Sequence, residues 1–167
     1  MRIIEGLLDE MNREAKTTRR VLEAIPGDRL AWKPHEKSWS LGELGSHLAT
    51  LPGIVAHEAL VDAFDASRVT RQSFASRAEI LTAFEQSLVE ASEIMAPMDD
   101  DWMMSTWTLV VHGKPALRIP RGRFVRAVLL NHSYHHRGQL SVYLRLLDVP
   151  VPAIYGPSAD EDPFSRR

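Results

Sequence analysis

"LLNHSYHHRGQL", residues 129–140, packs three histidines into five positions of a chain that has 7 histidines among 167 residues. Leucines bracket the stretch, which marks it as a helix face turned toward a core. Steps of alternating fours and threes through this region land on Val125, Leu129, His132, His136, Gln139, Tyr143 and Leu146. That is the spacing of a bundle seam, with imidazoles where leucine would serve. His132 and His136 stand at i and i+4, so both rings share one face a turn apart. His135 projects away from that pair, toward solvent or a neighbouring helix.

A buried imidazole without a partner costs about 1–3 kcal/mol. Two in one seam therefore need partners. A bound cation satisfies both by taking one ring nitrogen from each, whereas the bland solution is a serine or carboxylate across the bundle for each ring.

Outward from this helix, three more amphipathic segments share the same spacing. Residues 4–25 carry Ile4, Leu8, Met11, Ala15, Thr18, Leu22 and Ile25, stopped by Pro26 and Gly27. A second helix opens at Ser40, with Glu43 three residues on as a capping box, and repeats Leu41, Leu44, Leu48, Leu51 and Val55. Pro52 and Gly53 fall inside it and predict a kink rather than an end. A third opens at Ser76 with Glu79, carries Leu81, Phe84, Leu88, Ala91 and Met95, and closes at Pro97. The last runs from near Pro120 to about Leu147. Between the third and fourth, residues 107–111 and 116–119 flank "HGKP" and predict a short hairpin. The expected fold is all-α, a four-helix bundle with a β-hairpin between helices three and four, in a single domain over residues 1–167. The connections 26–39 and 65–75 are long for a tight bundle and can shape a pocket.

His47, in "GELGSHLATL", lies beside the seam of the second helix, flanked by Gly42, Gly45 and Ser46, whose small side chains allow close approach. One histidine from this helix and the pair from the fourth can form a three-nitrogen site, which leaves a coordination position open. His57 lies ten residues beyond His47, about 80° away on an ideal helix. His35, in a loop, and His112, in a turn, are read as surface residues.

Composition narrows the chemistry. There is no cysteine, hence no disulfide, thiolate metal site or cysteine nucleophile. A net charge of −2 and the lack of a basic patch argue against nucleic acid. The four tryptophans are read as core or pocket wall rather than a base-stacking platform. No apolar run is long enough to span a bilayer, and "MRIIEGLLDEMNREAK" lacks the pattern of a secretory signal, so the expected location is cytoplasmic. No phosphate-binding glycine loop and no G-x-S-x-G motif occurs.

"NHSYHHRGQLSVYLRLLDVPVPAIYGPSADE", with "LAWKPHEKSWSLGELGSHLATL" upstream, resembles the DinB/YfiT-like family of metalloenzymes. The motifs that carry the likeness are H-x-x-x-H-x-G-Q at His132, His136, Gly138 and Gln139, and the tryptophan–serine–helix–histidine segment ending at His47. The resemblance implies a four-helix bundle, often a homodimer, with a divalent metal on His47, His132 and His136. It also implies thiol S-transfer or isomerisation with a low-molecular-weight thiol cosubstrate.

The residues themselves admit this chemistry without selecting it. Zinc or nickel suits neutral imidazoles better than magnesium or calcium does. The absent cysteine means any thiol must arrive as substrate. Gln139 can orient a ligand from behind or bond across the seam. Tyr143 can donate into the site or sit in the core. Arg137 can meet an anionic substrate or a partner subunit, or lie solvated on the surface. Three functional classes stay open: a metal-dependent thiol transferase acting on a small electrophile, a metal-dependent hydrolase, and a non-enzymatic metal-binding stress-response bundle.

Overall fold

The computed structural model describes residues 1–70 and 72–165. Helix α1, Ile3–Glu23, buries Ile4, Leu7, Met11, Thr18, Val21 and Leu22, with Ile25 just beyond it. Leu8 and Ala15 are only partly buried, and Leu7 and Val21 widen the stripe. A helix enclosed by several neighbours buries a broader face than a two-helix seam.

Helix α2, Leu41–Glu58, starts at the expected capping box. The Glu43 amide donates to Ser40 Oγ at 3.1 Å, and the Ser40 amide donates to Glu43 Oε2 at 2.7 Å. The helix continues through Pro52. Pro52 has no amide to donate, and the next amide, Gly53, donates 2.8 Å across to the buried Ser87 hydroxyl of the third helix. Gly45 makes the close approach possible: a β-carbon there would lie 2.7 Å from Ile25 Cδ1. Helix α3, Arg77–Met95, is capped by Ser76, which accepts from the Glu79 amide at 3.2 Å. The returning arm of Glu79 reaches the Ala75 amide at 3.1 Å.

The architecture departs from a clean four-helix bundle with one hairpin. Helix α4, Asp100–Met104, follows α3, capped by Asp99 accepting from the Trp102 amide at 2.7 Å. The hairpin is present as β2, Thr106–Val111, and β3, Lys114–Pro120, joined through His112 and Gly113 at φ 51° and 74°. Two positive φ values in a two-residue loop match the twist of the flanking strands. Strand β1, Ala63–Asp65, adds to β2 in parallel and makes a three-stranded sheet in the order β1-β2-β3. Three residues carry no readable periodicity, and α4 has barely more than one turn. Both owe their form to packing.

Arg121 locks the sheet to the helices. Its fully buried guanidinium donates to the Ala59 and Val61 carbonyls at 3.0 and 2.6 Å, pairs with Asp62 at 2.7 Å and lies over the Trp102 ring. Trp107 stacks on Phe124, with centroids 3.8 Å apart, and donates to the Glu58 carbonyl at 3.1 Å.

The last helical stretch divides into α5, Arg121–Val125, a π-helical segment, Arg126–His132, and α6, Ser133–Leu146. The π segment turns less per residue than an α-helix and shifts the phase of everything after it. The sequence seam is therefore correct to His136 and holds beyond it only at Tyr143, which is half-buried against the core. Leu146 is exposed, as is Gln139, while Leu140 and Leu144 are buried. Arg137, read as a surface or substrate-facing group, is 1% exposed. It donates to the Glu14 carbonyl, the Thr18 hydroxyl, the Glu14 carboxylate and the Tyr155 hydroxyl.

That network holds the segment after α6 against α1. Arg20 pairs with Glu161 and Arg145 with Asp160, while the Val151 and Ala153 amides donate to the same two carboxylates. Among the described residues, no helix is long and apolar enough to cross a membrane.

Candidate metal centre

Three elements meet at the site. His47 comes from the middle of α2, His132 from the last position of the π segment, and His136 from the first turn of α6. His47 Nε2 and His136 Nε2 lie 3.2 and 3.0 Å from His132 Nε2. These are the three residues that the sequence brings forward as ligands, and the fold converges them. Among the described residues they form the one cluster of three or more such groups, with ligand atoms all within 4.8 Å of one another.

Hydrogen bonding alone serves this arrangement badly. If His132 Nε2 carries its proton, it donates to one neighbour and offers no lone pair to the other. If it is bare, its single in-plane lone pair meets two donors. A cation takes one lone pair from each ring. With zinc–nitrogen bonds of about 2.0–2.1 Å, two ligands on a tetrahedron stand about 3.3 Å apart, close to both observed spacings. The donor set fits a divalent transition metal.

The surroundings keep the rings neutral. Burial, then the charges of His136 and His132, pushes His47 down to about 4. Burial is also the leading cause for His136, which falls to about 4 against the opposing effect of the hydrogen bond that Gln139 accepts from it. His132 is lowered by burial and by His135. Neutral imidazole is the metal-binding form.

Trp39, from the connection before Ser40, walls the site. Its indole stacks on His136 with centroids 5.5 Å apart and planes within 15°, and meets His47 edge-on at 4.9 Å. It is the tryptophan of the tryptophan–serine–helix–histidine segment, and of the two readings, core or pocket wall, the structure gives the wall. Its place immediately before the helix cap was the available signal. Behind His136, Gln139 Oε1 sits 2.8 Å from Nδ1. The Tyr143 hydroxyl turns away from the centre and donates to the Trp39 carbonyl at 3.3 Å.

The remaining histidines stay outside. His135 is exposed beside the centre, its ring centroid 5.0 Å from that of His136. His57 is exposed and lies 2.7 Å from Glu90 Oε1, while His35 and His112 are exposed in a loop and a turn. A cleft of about 230 Å³ ends on His47 and Trp39, with Thr50 and Ile54 of α2 on one side and Val69, Thr70 and Gln72 on the other. The connection expected to shape a pocket does so, with residue 71 outside the described residues.

Known proteins resemble this chain in sequence and in fold. YrdA of Bacillus subtilis, named as uncharacterized, is 24% identical over 160 residues, covering 95% of this chain and 91% of that protein. A crystal structure of a DinB-like protein from Bacillus cereus superposes with a TM-score of 0.67 at 23% identity, covering 90% and 97% of the two chains. Another, from Bacillus subtilis, gives 0.68 at 18% identity, covering 89% and 97%. At those identities the structures speak for the fold. The DinB family model matches residues 4–163, nearly the whole length, and the chain belongs to the DinB family.

Proposed function

We propose that this protein is a divalent-metal-dependent S-transferase, joining a low-molecular-weight thiol to a small electrophile at the His47–His132–His136 centre. The convergence of three Nε2 atoms at 3.0 and 3.2 Å, which no tautomer satisfies by hydrogen bonds, carries the reading. Zinc or nickel is the expected metal, because the donors are imidazoles without a carboxylate. Bound there, it supplies Lewis acidity that lowers the pKa of a coordinated thiol or water. Three protein donors leave room for one such ligand.

The chain's residues supply the rest. Gln139 holds His136 with Nε2 toward the centre, and Trp39 excludes water from one side. In the overall reaction the thiol sulfur forms a bond to the electrophilic carbon. The thiol proton goes to solvent, and the leaving group departs with its electron pair. With no cysteine in the chain, the sulfur must come from the cosubstrate.

Elemental analysis of protein prepared without a histidine tag is expected to show one zinc or nickel per chain. In cobalt-substituted protein, adding bacillithiol, mycothiol or glutathione is expected to produce an intense near-ultraviolet charge-transfer band, lost in His136→Ala. Turnover of simple esters or amides without thiol, with no thiol-induced band, would assign the centre to a hydrolase. A metal site with neither band nor turnover would assign it to metal binding alone. We also propose a cytoplasmic homodimer. A monomer mass by light scattering at micromolar concentration would overturn the dimer.

A further inference from the structure

We propose that Trp39, secured by Tyr143, is a positioning residue for the metal centre, and that its indole holds the His47 ring turned toward His132 and His136. The inference rests on the metal-centre reading above and adds what supports the one ligand ring from α2. A metal-binding imidazole usually donates from its other ring nitrogen to a carboxylate or carbonyl, which fixes the ring. His136 has that support from Gln139, whose Oε1 lies 2.8 Å from Nδ1. His47 does not. Among the described residues its ring has one hydrogen-bonding contact, from Nε2 to His132 Nε2, and none at Nδ1. His47 is carried by α2, whereas the other two rings come from the last helical stretch, so its orientation needs a separate support.

Ring packing supplies it. The Trp39 indole lies within 15° of the His136 plane, with centroids 5.5 Å apart. The same indole meets His47 at 87°, with centroids 4.9 Å apart. His47 and His136 in turn stand at 87° to one another, 4.7 Å apart. One rigid bicycle, parallel to the first ring and perpendicular to the second, thus fixes the angle between them. Stacked and perpendicular contacts at these distances are both favourable aromatic geometries, and rotating the His47 ring loses its contact.

An indole can orient a neighbour only if it is itself fixed. Trp39 directly precedes the Ser40 cap of α2. The Leu41 and Gly42 amides donate to the Trp32 and Leu30 carbonyls, both at 2.9 Å, and tie the connection to the first turn of that helix. From the other side, the Tyr143 hydroxyl donates to the Trp39 carbonyl at 3.3 Å. Tyr143 stands about two turns beyond His136 on α6, and Trp32 meets its ring edge-on with centroids 5.6 Å apart. Trp39 is thereby attached to both helical stretches that supply ligands.

The test compares the parent with Trp39→Leu, which removes the indole, and Trp39→Phe, which keeps a ring in its place. Zinc affinity is read by competition with a chromophoric chelator. Nitrogen-correlated NMR of the metal-free protein reads the tautomer and line width of each imidazole. Trp39→Leu is expected to lose about 10–100-fold in zinc affinity, as for other supports of a metal ligand, and Trp39→Phe to stay within about threefold of the parent. The His47 imidazole is expected to give one sharp tautomer in the parent and a broadened, averaged signal in Trp39→Leu. Tyr143→Phe, which deletes only the hydroxyl bonded to the Trp39 carbonyl, is expected to perturb the same signal, and it carries the test if Trp39→Leu does not fold. Val21→Ala, a buried truncation in α1, which supplies no ligand, measures the effect of lost stability alone. Parental zinc affinity or an unaltered His47 signal in Trp39→Leu overturns the proposal. An unaltered His47 signal in Tyr143→Phe, or an equal loss of affinity in Val21→Ala, overturns it too. Absence of zinc binding by the parent refutes the metal reading instead, and the His47 signal still decides the role of Trp39.

Discussion

Gln139 Oε1 lies 2.8 Å from His136 Nδ1, so the Gln139 carbonyl receives that N–H and leaves the His136 Nε2 lone pair facing His132. The two residues are one helical turn apart, and the exposed glutamine fixes which tautomer the buried ring adopts. Removing such a support typically costs about 10–100-fold in metal affinity. Gln139→Ala is expected to show a loss in that range by competition with a chromophoric chelator, with the fold intact. Unchanged affinity would assign Gln139 to the surface.

His132 is the hub of the centre, because its Nε2 faces both other rings. His132→Ala is expected to abolish stoichiometric zinc or nickel binding, and His47→Ala and His136→Ala to weaken it severely. His135→Ala is expected to retain the metal, since that ring lies outside the three-nitrogen cluster. Metal content by mass spectrometry decides it, and full occupancy in His132→Ala would sink the ligand assignment.

Arg137 is expected to matter for stability rather than for chemistry. It is buried among Glu14, Thr18 and Tyr155, and removing one partner of a buried ion pair costs about 3–5 kcal/mol. The Glu14 side chain keeps 23% of its exposure, which favours the low end of that range. Urea unfolding of Arg137→Met should show the loss, with metal stoichiometry unchanged in the folded protein. A stability within about 0.5 kcal/mol of the parent would contradict the buried network.

Glu58, at the end of α2, gives stability a distinct pH dependence. Burial pushes its carboxyl up from 4.5 to about 7. The unfolded chain releases this proton near 4.5 and the folded protein near 7, so Glu58 withdraws stability as pH rises through that window. Glu58→Gln removes the titration. The variant's Tm minus that of the parent is expected to increase as pH rises from 4.5 to 7 and to level off above. A difference that stays flat across the window would show that Glu58 titrates normally in the fold.

Much of this design was legible in the residues alone. The four long helices followed from apolar periodicity, two of their starts from Ser40 and Ser76 with a glutamate three residues on, and their ends from Pro26 and Pro97. The turn residues of "HGKP" placed the hairpin. His132 and His136 were paired by arithmetic that any α-helix obeys, and His47 by its place beside the facing seam. These are local or periodic properties, and the chain states them directly.

What tertiary packing decided lies where local signals are short or interrupted. β1 exists because β2 offers an edge, and α4 because Asp99 caps it while the Ile3 amide donates to Asp100 and Arg121 lies over Trp102. The π segment arises in a stretch whose apolar pattern reads as ordinary helix. By slowing the rotation after Arg126 it turns Gln139 outward and buries Leu140 and Leu144, which a constant period places otherwise. Arg137 became a core residue only because α1 presents Glu14 and Thr18 to it. Trp39 became a wall of the three-histidine cluster because the connection before α2 folds across two helices at once. Periodicity reports which face of a helix is buried. It does not report which neighbour meets that face, and a buried charge or a stacked indole depends on the neighbour.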